Sequence, residues 1–468
     1  MRAAGVAAAS LLLLGGAAGC GAGPEYDLVI EGGRVIDPES GLDAVRNVGI
    51  RRGRVEILSK DPLSGRRVIE ARGLVVAPGF IDLHRHGQDE GSYRLQVRDG
   101  VTTGLDLELG TPNVQDWYEA REPGQIVNYG VSVGHLGARA TAVEDPVSGI
   151  GGRSTRVAAT ERQRAETERL LRVGLAQGAI GIGFGAAYTS GAGMDELEQM
   201  FTVASERRVA AFIHTRNGLA GLDSILEVAG EVGASLHVVH ANSSGGEEVL
   251  AFLERIEAAR AAGQDVTTEA YPYGASQTLI QSAPFDGWES WPDTRFRRYE
   301  WANTGERLTR ERFALLKSRG GGSVIIYGRT EDLTLAAVTH PLTMVASDGG
   351  GRHPRGAGTF ARILGRYVRE GGALSLMDAL ARMTIRPAQR LESFVPAMAN
   401  KGRIRVGADA DITIFDPATV IDRATYGNGF APSEGFRYVL VNGVVVVDGG
   451  RVVEGARPGR AVFGVASY

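Results

Sequence analysis

Residues 79–86 read GFIDLHRH, an apolar run that ends in two histidines one residue apart. On a β-strand the side chains of His84 and His86 leave the same face, so both imidazoles reach toward one point. Strands of a parallel sheet covered on both faces are apolar throughout, and an imidazole placed in one is costly unless it is paired or coordinated. The pair at the end of this run therefore points to a metal position at a strand terminus.

The same texture returns along the chain. Strand-length apolar runs are VVAPGFIDLHRH (75–86), GVTTGLDLELG (100–110), NYGVSVGH (128–135), GAIGIGFG (178–185), VAAFIHT (209–215), ASLHVVHA (234–241), QDVTTEAYPY (264–273) and LTMVASDG (342–349), eight in all. Amphipathic stretches separate several of them: residues 160–178 open at a Thr160 cap and stop at Gly178, and 195–208 and 246–263 follow the same logic. Alternation of this kind predicts an α/β fold, a (β/α)8 TIM-like barrel over residues 77–403. A ninth run, SVIIYG (323–328), is assigned to an excursion between the seventh and eighth strands, beside an insertion at about 275–322 that is rich in Trp, Pro and Arg. Short β-rich segments with Gly turns occupy 26–76 and 404–464, and neither is sufficient alone, so the two ends are expected to pair into one small β-sandwich domain.

A formal charge of −4 and the lack of any basic run exclude an electrostatic case for nucleic acid, which leaves a small molecule as the expected partner. Residues 1–20, MRAAGVAAASLLLLGGAAGC, have the build of an export signal, and GAAG before Cys20 resembles a bacterial lipoprotein signal. The expectation is an exported protein, lipid-anchored through Cys20 on the periplasmic side of a bacterial envelope, with simple secretion as the alternative; that anchor would be its only membrane contact. Cys20 is the sole cysteine, so there is no disulfide and no other thiolate to bind a metal.

In an eight-stranded βα barrel the reactive groups project from the C-terminal strand ends. Of the eight histidines, five fall there: His84, His86, His135, His214 and His240. Glu108 closes the second run and Asp348 the eighth. Any one of these alone reads as a hydrogen-bonded core residue; the whole ring reads as a metal site. His237, on the other face of its strand, and His340 read as structural, and His353 as a residue of the pocket loop.

PGFIDLHRH, IHTRN, VVHA and ASDG, in that order and on those strands, resemble the amidohydrolase superfamily of metal-dependent hydrolases. Within it GAIGIGFGAAYTSG, HTRNG, TTEAYPY, ASDGG and HPRGAGTFARIL resemble the D-aminoacylases, or N-acyl-D-amino-acid deacylases. GLDLELGTPNVQDWY and NYGVSVGH look most like the N-acyl-D-glutamate deacylases, a hint of an acidic substrate. The resemblance implies that His84, His86 and Asp348 surround one metal position and that His214 and His240 hold a second. Many relatives bridge two metals with a carboxylated lysine or a cysteine, but no lysine lies at a strand end here and Leu109 stands at the cysteine's place. Glu108 is the remaining anionic bridge, with Asp106 in reserve; because adjacent strand residues point oppositely, Glu108 requires a local bulge or a shifted register. The family's lysine after the sixth-strand histidine is replaced by Ala241 and Asn242.

The implied reaction is hydrolysis of the amide of an N-acyl-D-amino acid by metal-activated hydroxide. One or two divalent ions are expected; oxygen and nitrogen ligands fit zinc, and other transition metals also suit them. Asp348 is expected to move the proton from water to the leaving nitrogen. Tyr273 is the first choice for the oxyanion donor and His135 the second, with Tyr188 lining the same pocket. Arg355 matches the family's carboxylate-binding position, and Arg216 is a further candidate. The alternatives are a cyclic-amide hydrolase of dihydroorotase or hydantoinase type and a non-catalytic ligand-binding lipoprotein.

Overall fold

The computed structural model describes residues 25–147 and 149–465. The expected export signal and Cys20 lie outside the described residues. Among those described, no helix is long and apolar enough to cross a membrane.

The eight apolar runs form one parallel sheet in sequence order: Phe80–Asp82, Val101–Thr111, Asn128–Gly134, Ile182–Phe184, Ala210–Ile213, Ser235–Val238, Val266–Ala270 and Thr343–Val345. The last and first strands meet through an isolated parallel bridge, Arg85 to Gly349, and the Gly349 carbonyl accepts from the amides of His86 and Gly87, which nearly closes the barrel. These strands are short and buried on both faces, as parallel strands under helices must be. Helices follow the sequence signals closely. Glu161–Ala176 begins with a full capping box between Thr160 and Gln163, which satisfies two amides that the first helical turn leaves free.

The second strand carries the irregularity that positions the site. Its pairing with the third strand runs regularly to Asp106↔Val131 and resumes at Thr111↔Val133, so five steps on one side oppose two on the other. Glu108 lies within this irregular stretch and faces the site together with Asp106, two positions earlier on the same side of the strand. Ser132 Oγ donates to the Leu107 carbonyl at 2.9 Å, and Gly110 takes φ +58° directly against Ser132. A Cβ at Gly183 would come within 2.3 Å of the Glu108 carbonyl, so the fourth strand can approach the bulge only as glycine.

The two chain ends build a nine-stranded sheet in which Val75–Pro78 pairs antiparallel with Ile412–Phe415 and parallel with Tyr26–Asp37. Its core contains Leu28, Ile30, Val35, Val48, Ile412, Ile414 and Leu440. A buried polar junction ties it to the barrel: Asp411 accepts from Asn128 Nδ2 (2.9 Å), the Asn442 amide (2.6 Å) and Lys401 Nζ (2.7 Å).

Between the seventh and eighth strands the chain makes a four-stranded antiparallel sheet from Ala275–Leu279, Tyr299–Trp301, Glu306–Arg307 and Ser323–Tyr327. The SVIIYG run belongs to this sheet, so the inserted unit extends past the boundary expected at 322, because its last strand pairs with its first. Phe285, Trp291, Phe296, Tyr299 and Phe313 give it a core of its own.

Candidate metal centre and cleft

Two groups of ligand atoms converge at the C-terminal end of the barrel: His84, His86, Glu108 and Asp348, and Glu108, His214 and His240. Within each, the atoms lie within 4.8 Å of one another. Glu108 belongs to both. Its Oε2 is 2.9 Å from Nε2 of His84 and of His86, and its Oε1 is 3.0 Å from His214 Nδ1. Asp348 Oδ1 stands 3.5 Å and 3.4 Å from the same two Nε2 atoms. Asp106, the reserve bridge, reaches only the rear of the first group, 3.4 Å from His86 Nδ1.

Backbone strain marks the same place. His240 has φ +34° and Asp348 φ +48°, a left-handed conformation unfavourable for residues with a Cβ and held only where surrounding contacts enforce it.

The electrostatics describe a cluster short of positive charge. Burial disfavours protonated His84, yet Asp348, Glu269 and Glu108 raise its imidazole to about 10. Burial likewise opposes ionisation of Glu108 and Asp348, but hydrogen bonds from His214, His84 and His86 hold Glu108 well below the usual carboxylate range, and Arg355 with His84 does so for Asp348. His84 Nε2 and His86 Nε2 face each other at 3.1 Å, two imidazole edges aimed at one point beside two carboxylates. This donor set fits a divalent cation at each group, with Glu108 shared between them.

Behind the ligands lies a relay that sequence reasoning passed over. Glu269, on the seventh strand, accepts at 2.6 Å from His84 Nδ1 and lies 3.1 Å from His237 Nε2; His237 Nδ1 in turn meets Thr267 Oγ1 at 2.8 Å. A carboxylate on the distal nitrogen fixes the tautomer and raises the basicity of a ligating histidine. His237 thus supports the centre from below rather than merely filling the core. The available signal was Glu269 itself, a charge on a strand with no solvent face.

Two of the expected catalytic groups point elsewhere. The Tyr273 hydroxyl meets Asp422 at 3.4 Å and lines a separate cavity with Arg362 and Arg366. The turn after the seventh strand carries it outside the barrel mouth. His135 starts the helix His135–Ala142 and bonds Glu196 at 3.0 Å, alongside Arg139, in a buried knot that ties loops together. Arg216 is spent on the carbonyls of Thr189 and Ala192.

Tyr188 and Arg355 do reach the centre. The Tyr188 ring stands edge-on to His214, centroids 4.9 Å apart, and its hydroxyl accepts from Thr278 Oγ1 at 3.5 Å. Burial and Glu108 raise its pKa, so it keeps its proton. Arg355 Nη1 pairs with Asp348 Oδ2 at 2.8 Å, and Tyr271 lies under the guanidinium at 4.7 Å. His353, buried beside it, donates from Nε2 to the Ala275 carbonyl (3.0 Å) and is kept neutral by burial and Arg355.

The cleft has two lobes that share Asp348, Tyr188, Gln277 and Thr278. One, about 500 Å³, is lined by Leu109, Pro112, Leu136, Ile150, Leu279 and Arg355. The other, about 320 Å³, runs past His214 to Ile326 and Arg329 of the inserted unit's edge. The profile of the amidohydrolase family matches residues 75–446, the whole barrel with its ring of ligands.

The chain belongs to the amidohydrolase family.

This amidohydrolase is 32% identical to an N-acyl-D-glutamate deacylase of Alcaligenes xylosoxydans xylosoxydans, over 93% of this chain and 96% of that one. Among solved structures it resembles an N-acyl-D-glutamate deacylase from Bordetella bronchiseptica complexed with zinc and a phosphonate mimic of the tetrahedral intermediate (TM-score 0.80, 27% identity, 94% and 99% of the two chains). It resembles D-aminoacylase equally in shape (TM-score 0.79, 26% identity, 94% and 100%). It is therefore a metal-dependent amidohydrolase related to the N-acyl-D-amino-acid deacylases.

Proposed function

We propose that this amidohydrolase removes the acyl group from N-acyl-D-amino acids, with zinc in the paired site. The observation that carries the reading is Arg355. Its guanidinium is 4% exposed and stands on the cleft wall; Nη1 lies 2.8 Å from Asp348 Oδ2, and the buried Nε has no hydrogen-bond acceptor. A buried guanidinium on a cavity wall with a donor left over suits a carboxylate, the anion whose geometry its fork matches. That is the group an N-acyl amino acid carries on the carbon bonded to its amide nitrogen. The relatives named above support the D hand.

His84, His86, Glu108, Asp348, His214 and His240 would hold the divalent metal, which when bound would supply Lewis-acid polarisation and lower the pKa of water toward 7. The protein's own groups do the remainder. Asp348, ionised and 3.4 Å from the His86 edge, takes a proton from the attacking water and delivers it to the nitrogen as the C–N bond breaks, so the amine leaves neutral. The Tyr188 hydroxyl accepts from Thr278 and keeps its own proton to donate, which suits it to the oxygen that gains charge as water adds to the carbonyl. This assignment replaces Tyr273. Arg355 holds the substrate carboxylate.

The test is a panel of N-acetyl D- and L-amino acids with hydantoins alongside, read as released amine or ring-opened product. Turnover of the D derivatives, lost with chelator and restored by zinc, is expected. Ring opening without deacylation would overturn the reading in favour of a cyclic-amide hydrolase.

A further inference from the structure

Arg85 stands between the two histidines of the first strand. His84 and His86 turn to the metal centre, so the residue between them leaves by the opposite face, toward the helices. It is 2% exposed, and its guanidinium donates to the carbonyls of Gly356 (Nη1, 2.6 Å), Ser92 (Nη2, 3.3 Å) and Gly87 (Nε, 3.5 Å). A Cβ at Gly349, next to the ligand Asp348, would fall 2.1 Å from Nη1, so the guanidinium runs hard against that loop as well. Gly356 follows Arg355 in the helix Arg355–Arg362. In a regular α-helix its carbonyl pairs with the amide of Phe360. Here that carbonyl accepts from Arg85, and the Phe360 and Ala361 amides donate to the Asp99 carboxylate at 2.9 Å and 3.0 Å. Both halves of one helical bond are thus engaged from outside, by a cation at the end of the first strand and an anion just before the second. The helix continues as a π-helical stretch, Ile363–Glu370, so its ladder is irregular at this place.

The geometry points to Arg85 as a positioning residue that sets where Arg355 stands relative to the metal centre. The inference rests on the deacylase reading and adds a residue to it. On that reading the substrate is gripped at two points, its amide at the metal ligands and its carboxylate at Arg355, and the two belong to different segments of the chain. Arg85 joins them, because its main chain lies between two ligands while its guanidinium holds the first turn of the Arg355 helix. It lines neither lobe of the cleft, so its effect passes through Arg355. Without the guanidinium the start of that helix is free to shift, and a misplacement of about 1 Å, even one caused away from the chemistry, can cost about 100-fold in rate.

The test uses the zinc-loaded full chain and its Arg85→Met and Arg85→Lys variants. N-acetyl-D-leucine and N-acetyl-D-glutamate are each compared with the matching α-carboxamide, which keeps the scissile amide but lacks the charge that Arg355 binds. The wild type should favour the acids. Arg85→Met should lower kcat/KM for the acids by about 100-fold, chiefly through KM, and for the carboxamides by less than about 3-fold, so that the preference for the acid collapses. Arg85→Lys, which keeps the charge and one donor for the Gly356 carbonyl, should recover part of it. With zinc content intact, an unchanged preference for the acid overturns the positioning role. Equal losses on acids and carboxamides overturn it too, since a merely structural residue would behave that way. A wild type that cleaves acid and carboxamide equally well also overturns it, because Arg355 then binds no carboxylate. Failure of the wild type to cleave either acid overturns the deacylase reading instead. If Arg85→Met does not fold with its full zinc content, Asp99→Asn, which weakens the other half of the same helical bond, carries the same comparison with the same outcomes.

Discussion

Asp348 occupies a junction between two tasks, touching the His84 and His86 edges with one oxygen and Arg355 with the other. Asp348→Asn keeps the shape and an oxygen for the metal but removes the proton acceptor. Turnover should fall by about 10³-fold, within the range of general acid–base contributions, while zinc content by elemental analysis stays near the wild-type level. Full activity in that variant would remove Asp348 from the proton path. Glu269 acts one shell further out, through His84. Glu269→Gln should weaken zinc affinity by about 10- to 100-fold, measured by competition with a chromogenic chelator, with activity recovered at saturating metal. His84, His86, His214 and His240 were visible in the chain as imidazoles at the ends of apolar runs, because position on a barrel strand determines where a side chain emerges. Tyr273 and Tyr188 were not separable in that way, since both lie in turns whose direction depends on what packs around them.

At the level of elements, the bulge of the second strand decides what kind of centre forms. Glu108 shares the inward face with Asp106, and it stands in the stretch between Asp106 and Thr111 where pairing with the third strand lapses, its carboxylate against both histidine groups. Gly183→Ala would place a methyl group 2.3 Å from the Glu108 carbonyl. It should destabilise the protein by roughly 1–3 kcal/mol in urea titration and lower zinc content as well, because the carbonyl that must move belongs to the bridging residue. Normal metal content in this variant would mean that the bulge is set by contacts other than the fourth strand. The need for a bulge was legible from the spacing of Glu108 and its neighbours; its partners, Ser132 and Gly183, come from strands distant in sequence.

Across the whole molecule, Lys401 joins the two chain ends to the barrel. It is 4% exposed and bonded to Asp411 (2.7 Å) and Asp409 (3.1 Å), and Asp411 also grips Asn128 of the third barrel strand. Breaking a buried pair leaves an uncompensated charge, so Lys401→Met should cost about 3–5 kcal/mol of stability. Burial opposes the charged form, but Asp411 and Asp409 raise the lysine above its ordinary value of 10.5. The stability it adds is therefore complete below about pH 10.5 and lost as pH rises through the higher folded value. The melting temperatures of wild type and variant should differ by a constant amount from pH 7 to 10 and converge above that; convergence near neutrality would contradict the pairing. The order of eight strands, the capped helices between them and the set of imidazoles followed from local periodicity, a property each segment carries in its own residues. Which tyrosine faces the metal ligands, how far the inserted sheet extends, and that Glu269 comes to stand behind His84 depended on packing between segments well separated in the chain, 185 residues in the last case. No local pattern encodes such contacts, because they exist only once the barrel has closed.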